Sequence, residues 1–283
     1  MVEYHSLNAN IIEIILSEEA GKFFILVHAE DGKVYQVKLN APNQKNNINE
    51  YISHHIATVV DAPVLDAKFL YLDNVEIEKL NNKLLELSLS ADIHINHKNY
   101  FFGIEWKQNI TSVKREKDLV KRINEASNRD KFYSLYPLDQ YLKNYDRHIG
   151  NHLIVKTGNS VQYYLIDFDR IFASTNWGMM FSLFKNFDCL ALKDYHHFLS
   201  SLIDNSNYDY VLKYANSFSS IEDAEITSII ENIKYIYHIN DVELKLLNEW
   251  LSHRRDNMFD SCYDNIKCFK RVSQQRFKDV YRQ

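Results

Sequence analysis

Glycine is scarce in this chain: six residues in 283, at positions 21, 32, 103, 150, 158 and 178. No three of them fall in a G-x-G-x-x-G spacing and none opens a G-x-x-x-x-G-K-[ST] loop, so Rossmann-type dinucleotide binding and P-loop nucleotide chemistry are both excluded. Cysteine is sparser still. Cys189, Cys262 and Cys268 make an odd count with no C-x-x-C pair, which argues against a disulfide framework and a zinc site and points to a reducing compartment. An excess of basic charge is missing too: 33 Lys and Arg stand against 38 Asp and Glu, a formal charge of −5. There is thus no global electrostatic reason to bind nucleic acid or an anionic membrane. No apolar run approaches the roughly 18 residues that a membrane span needs, and the first residues, Glu3 among them, lack a basic stretch followed by an apolar one. The expectation is a cytoplasmic chain with no nucleic-acid and no membrane partner. Repeats and low-complexity tracts are absent as well.

What is present suits a folded protein of one large or two small domains, with 46% hydrophobic and 25% charged residues. The first third alternates β-rich runs with turn residues: IIEIIL, SEEAGK, FFILVHAE, the Asp31-Gly32 pair, then KVYQVKLN. This pattern predicts three antiparallel strands, two of them joined by a hairpin. Ile48, Ile52, Ile56 and Val59 form a helical stripe that Pro63 ends. LDAKFLYLD, a helix-like insert around Val75 to Leu87 and the strand-like NYFFGIEWK complete a small α+β region, residues 1–107. Residues 108–283 read as mainly helical, over 116–145 and again from about 179, around an interval of loop and strands. The basic run KCFKRVSQQRFKDVYRQ at the end reads as a solvated face.

That interval, YLKNYDRHIGNHLIVKTGNSVQYYLIDFDRIF, carries the chemistry. Asp146 stands five residues before Asn151, and Asp167 follows two strand-like runs, LIVK and VQYYLID. Phosphoryl transfer asks little covalent work of a protein; it needs an acceptor or orienter for a hydroxyl proton and oxygen ligands for magnesium. Asp146 fits the first role, and Asn151 and Asp167 fit the second. His148 brings an imidazole, the side chain type most used to take protons in catalysis, and is the other candidate proton acceptor. Lys38 closes the third strand, where a kinase keeps the lysine that meets the α- and β-phosphates, and Glu50 on the following helix is its candidate partner. A second reading of Glu50 is open: Asn47 three residues before it makes a capping-box arrangement, with Glu50 off the Ile48, Ile52, Ile56 stripe, although the small Ser53 and Ala57 share its face. Without a glycine-rich loop, the cover over the phosphates falls to SEEAGK, with backbone N–H groups and Ser17 as donors.

DRHIGN followed by LIDFD, with LDQYLKN before it, resembles the catalytic segment of HipA-like kinases; VYQVK and INE...HHIATVVDAPV resemble that family's lysine strand and glutamate helix. The D-R-H-x-x-N loop is also similar to that of phosphatidylinositol 3- and 4-kinases. The resemblance covers about residues 10 to 172. It implies a two-lobed, protein-kinase-like α+β fold, with a small antiparallel-sheet N-lobe bearing one helix and a larger helical C-lobe. It further implies ATP and Mg2+ as cofactors and a serine or threonine hydroxyl of a protein substrate as acceptor. Asp146 becomes the catalytic aspartate, Asn151 and Asp167 the magnesium ligands, Lys38 and Glu50 the nucleotide-phosphate pair, and the backbone from Phe102 to Trp106, Glu105 included, the hinge that meets adenine. A regulatory protein partner belongs to the same expectation. The chain departs from its look-alikes at Asp169, where they carry glycine two residues after the metal aspartate. That loss restricts the backbone there and disfavours a segment that flips. A lipid kinase with the same catalytic residues, and a nucleotide-binding pseudokinase acting through protein contacts, are the alternatives.

Overall fold

The computed structural model describes residues 6–16, 23–39, 44–87, 99–111, 115–144, 146–172, 177, 207–237 and 239–280. Its first part is built from β1 (Ser6–Leu16), β2 (Phe23–Ala29) and β3 (Val34–Lys38), followed by helix α1 (Gln44–Val59), β4 (Ala67–Tyr71), helix α2 (Asn74–Glu86) and β5 (Tyr100–Glu105). The hairpin between β2 and β3 turns at Asp31-Gly32, where Gly32 takes φ +80° and the Lys33 N–H donates to Asp31 Oδ1 at 3.0 Å. Glycine meets that backbone geometry without the Cβ clash of other residues.

The five strands close into a barrel in the order β1-β2-β3-β5-β4, with β1 and β4 paired in parallel from Ser6↔Phe69 to Asn8↔Tyr71. This corrects the expected antiparallel sheet. β1 is long, and its register on β2 slips between Ile11 and Glu13; such a bulge bends a strand and increases its twist. The start of β1 is thereby free to reach β4 while its end stays on β2. The Ile11 N–H at the slip donates to Glu76 Oε2 of α2 at 2.9 Å. Inside, Ile25, Val27, Tyr35, Val37, Leu70 and Phe101 form a core to which α2 adds Leu80 and Leu84. Gly103 is required by this closeness: a Cβ there would lie 2.4 Å from Leu70 Cδ1.

Because strand side chains alternate, burying Tyr35 and Val37 inside the barrel sends Gln36 and Lys38 to its outer face. α1 packs there. Its Ile48, Ile52 and Ile56 are fully buried, and Tyr51 meets Phe69 and Phe102 with ring centroids 4.8 and 5.7 Å apart. The helix begins at Gln44, so Asn47 lies within it and is not its N-cap.

The remaining chain supplies α3 (Glu116–Glu125), a 3-10 turn (Arg129–Ser134) running into α4 (Leu135–Leu142), then a hairpin of β7 (His152–Thr157) and β8 (Ser160–Leu165) with the short β6 (Ile110–Thr111) as third strand. Helices α5 (Tyr208–Ser217), α6 (Asp223–Ile236) and α7 (Asp241–Val280) follow. The reading of 116–145 as helical holds with a break after α3, and the expected pair of strands before Asp167 is present. α1 is gripped from this side too: Asn232 Nδ2 of α6 donates to the Tyr51 hydroxyl at 2.6 Å, and Lys45 pairs with Glu243 of α7. No helix among the described residues is long and apolar enough to cross a membrane.

Candidate active site

Lys38 reaches from the outer face of β3 to two carboxylates. Its ammonium pairs with Glu50 of α1 and lies 2.5 Å from Oδ1 of Asp167, just beyond β8. Glu50 is 3% exposed, and Ser53 and Ala57 on its face are fully buried, which lets α1 approach the strand closely. Burial alone pushes the Lys38 ammonium down, but Glu50, Asp167 and Asp169 together override it and hold the pKa above the usual lysine range. Glu50 is pushed up by burial, drawn back by Lys38 and pushed up again by Asp167 and Asp169. One turn along α1, His54 Nε2 is 3.9 Å from Glu50 Oε2, and burial with the Lys38 charge lowers its pKa to about 3. His54 is therefore a neutral imidazole, and its ring meets Phe102 and Phe168 edge-on.

Asp167 adopts φ +61°. For a non-glycine residue that conformation costs on the order of 1 kcal/mol, with Asp and Asn among those that tolerate it. Asp169 does not point to solvent: the residue is 4% exposed and its carbonyl accepts from Asn49 Nδ2 at 2.8 Å.

The loop after α4 is organised by a residue not singled out in the sequence. Arg147 and Asp139 form a bidentate pair, Nε to Oδ2 and Nη2 to Oδ1 at 3.0 Å each, with both side chains 1% exposed. Arg147 Nη1 also donates to the carbonyls of Ile166 (2.7 Å) and Asn151 (3.2 Å), and the guanidinium lies 4.7 Å from the Phe168 ring centre. One arginine thus ties α4, the loop and the Asp167 segment together. A hint was legible in LYPLDQYL, where a lone carboxylate sits inside an apolar helix; a buried charge needs a partner.

Within the loop, Asn151 Nδ2 donates to the Asp146 carbonyl at 2.8 Å, which commits the amide nitrogen and leaves Oδ1 as the atom a cation can use. The Asp146 N–H donates to Asn144 Oδ1 at 3.1 Å, while its carboxylate, one-third exposed, lies 3.4 Å from Arg170. His148 is exposed, with Nδ1 accepting from the Gly150 N–H at 3.0 Å. Asp146, Asn151 and Asp167 are brought together through the bond from the Ile166 N–H to the Asn151 carbonyl, 3.1 Å.

Ser17 lies outside the described residues. Glu105 pairs across the ladder with Tyr35, three residues from Lys38 and so roughly 10 Å along β3. Its N–H is taken by the Asp66 carbonyl (2.8 Å) and its side chain by Lys107 (2.5 Å).

Among the described residues no three His, Cys, Asp or Glu side chains are placed to hold a metal by themselves. Asp167 and Asn151 would offer a metal two oxygen donors. That fits magnesium, which is usually held by one or two carboxylates and completes its octahedron with phosphate oxygens and water.

A solved structure shares this fold. A proinflammatory kinase of Helicobacter pylori, CtkA, superposes with a TM-score of 0.55 at 15% identity, covering 92% of this chain and 98% of its own. HipA of Shewanella oneidensis, solved with HipB and operator DNA, gives 0.43 at 9% identity over 81% of this chain and 57% of that one. CtTel1 in its open conformation gives 0.40 at 12% identity over 91% and 12%. A search of curated protein sequences gives no match. The profile of the HipA-like kinases matches residues 11–233, a span that holds Lys38, Glu50, Asp146, Asn151 and Asp167, and the chain belongs to the HipA-like kinase family.

Proposed function

We propose that this kinase transfers the γ-phosphate of ATP, with magnesium, to a serine or threonine hydroxyl of another protein. The observation that carries the proposal is Lys38, which joins Glu50 of α1 to Asp167 beyond β8 and so brings barrel and helical parts to one point. In this reading Lys38 binds the α- and β-phosphates and Glu50 holds it there. Asn151 Oδ1 and Asp167 hold the metal. Magnesium, when bound, neutralises the charge of the phosphates.

Asp146 orients the acceptor hydroxyl and takes its proton. It is assigned ahead of His148 because His148 Nδ1 already accepts from the Gly150 N–H, whereas among the described residues the Asp146 carboxylate meets an exposed arginine at the edge of hydrogen-bond range. Residues 1–107 act as the nucleotide-covering lobe and 108–283 as the lobe that carries the loop and the metal ligands, in a cytoplasmic protein. The charge of −5 gives no attraction to an anionic bilayer, which supports a protein acceptor over a phosphoinositide.

The test is transfer from γ-labelled ATP with magnesium to a cell lysate and, separately, to phosphoinositide vesicles. Labelled protein that disappears with Asp146→Ala is the expected result. Label on vesicles alone selects a lipid kinase, and no label anywhere, with wild type and variant alike, selects a pseudokinase.

A further inference from the structure

Lys38 is one rung between α1 and the Asp167 segment. A second rung runs beside it through Asn49, the residue before Glu50. Asn49 is fully buried, and its amide is used at both ends: Nδ2 donates to the Asp169 carbonyl and Oδ1 accepts from the indole Nε1 of Trp177, each at 2.8 Å. Trp177 is itself fully buried and packs edge-on against Phe172, with ring centroids 6.0 Å apart. One turn before Asn49, the Lys45 ammonium sits 4.8 Å over the Trp177 ring and pairs with Glu243. Glu243 belongs to α7, a helix that begins beyond the stretch matched by the family profile.

We propose that Asn49 and Trp177 are positioning residues for phosphoryl transfer: they key α1 to the backbone two residues after Asp167, so that Glu50 and Asp167 meet Lys38 together. The inference rests on the kinase reading of Lys38, Glu50 and Asp167. Any rotation of α1 that withdraws Glu50 also strips Asn49 from two buried partners, and buried polar groups left unpaired are costly. The two rungs therefore hold or fail together. Asp169 belongs to the same device. Its carbonyl is pinned by Asn49 and its Cβ narrows the backbone freedom that glycine gives there in look-alikes. α7 backs the rung from outside through Lys45, which gives the C-terminal helix a part in holding the site.

The test uses the full-length protein with Trp177→Phe, which removes the indole donor and keeps a ring, Asn49→Asp, which keeps an acceptor for Trp177 and loses the donor to Asp169, and Asp167→Ala as the reference. Basal MgATP hydrolysis, read as released phosphate, gives kcat and KM without a known acceptor, and amide hydrogen exchange follows residues 44–59 and 163–172. Trp177→Phe is expected to lower kcat about tenfold, Asn49→Asp up to about 100-fold, both with a smaller change in KM for ATP. Exchange should rise in both segments in step, in Trp177→Phe as in Asn49→Asp. Wild-type kcat in both variants, or faster exchange confined to the neighbourhood of Trp177, overturns the inference while Asp167→Ala still abolishes turnover. If Asp167→Ala hydrolyses ATP like wild type, the kinase reading of the site fails instead, and the exchange data alone decide whether the rung exists.

Discussion

Lys38 and Glu50 sit on a strand and a helix 12 residues apart, Asp167 follows Lys38 by 129 residues, and the three are joined directly through the Lys38 ammonium. Asp146, Asn151 and Ile166 are close in sequence, and they are held by something else: the buried Arg147 and Asp139 pair beneath them. In the first group the residues proposed for chemistry are also the contacts between parts of the molecule. In the second the Asp146 carboxylate stays one-third exposed, Asn151 is buried, and two charges with 1% exposure carry the architecture. The difference teaches where a substitution should act. Changes in the first group should strike activity and alignment together, and changes in the second should separate function from folding.

The largest effect is expected at Asp167. Asp167→Ala should lower phosphoryl transfer about 10³-fold, the scale of losing a dedicated electrostatic contact in a site, and should loosen the Asp167 segment from α1 because Lys38 no longer bridges them. A variant with normal transfer breaks the first half of the comparison. Arg147→Ala should act on stability. It takes from the buried Asp139 its bidentate cation, a loss of about 3–5 kcal/mol, visible as a lower urea midpoint even when no substrate is present. An Arg147→Ala protein with an unchanged midpoint would show that the pair is not the scaffold.

Next come the two proton-acceptor candidates. Asp146→Asn should reduce kcat by about 10²-fold or more while unfolding like wild type, and His148→Ala should leave kcat within severalfold. The reverse order would move the proton to His148.

The smallest effect is a pH dependence of stability. His54, lowered to about 3 by burial and by Lys38, and His152, pushed well below 6.5 by burial and then by Arg147 and His148, are neutral in the fold. Above pH 6.5 neither folded nor unfolded imidazole is charged, so nothing is lost. As pH falls from 6.5 to 5, the unfolded chain takes up protons that the folded chain refuses, and stability drops by up to about 1.4 kcal/mol per pH unit for each ring. His54→Phe, which preserves the edge contacts to Phe102 and Phe168, should flatten the fall in melting temperature between pH 6.5 and 5. An unchanged slope would mean that His54 does not titrate as its burial demands.

Much of this was legible in the sequence because it is local. The Asp31-Gly32 hairpin, the Ile48, Ile52, Ile56 stripe and the two strands before Asp167 all declare themselves through periodicity and turn chemistry. Barrel closure was not legible, since Ser6 pairs with Phe69 only because β1 bends at a bulge that no residue type announces. The Asn47 capping pattern misled for a related reason: the helix starts three residues earlier, and burial against β3 decides what Glu50 meets. Arg147 and Asn49 were passed over because a polar residue in a loop or on a helix looks solvated until its partner's position in space is known.

The most direct test of the central claim, that the Lys38, Glu50 and Asp167 cluster and the Asp146 to Asn151 loop form one phosphotransfer site, is transfer of γ-label from ATP by wild type, Lys38→Met and Asp146→Asn compared side by side at saturating magnesium. Label transfer by wild type that is lost in both variants, with Asp146→Asn melting within a few degrees of wild type and Lys38→Met melting lower because the buried Glu50 loses its ammonium partner, is the predicted result. Equal transfer by all three proteins, or loss in one variant with the other untouched, contradicts a single site.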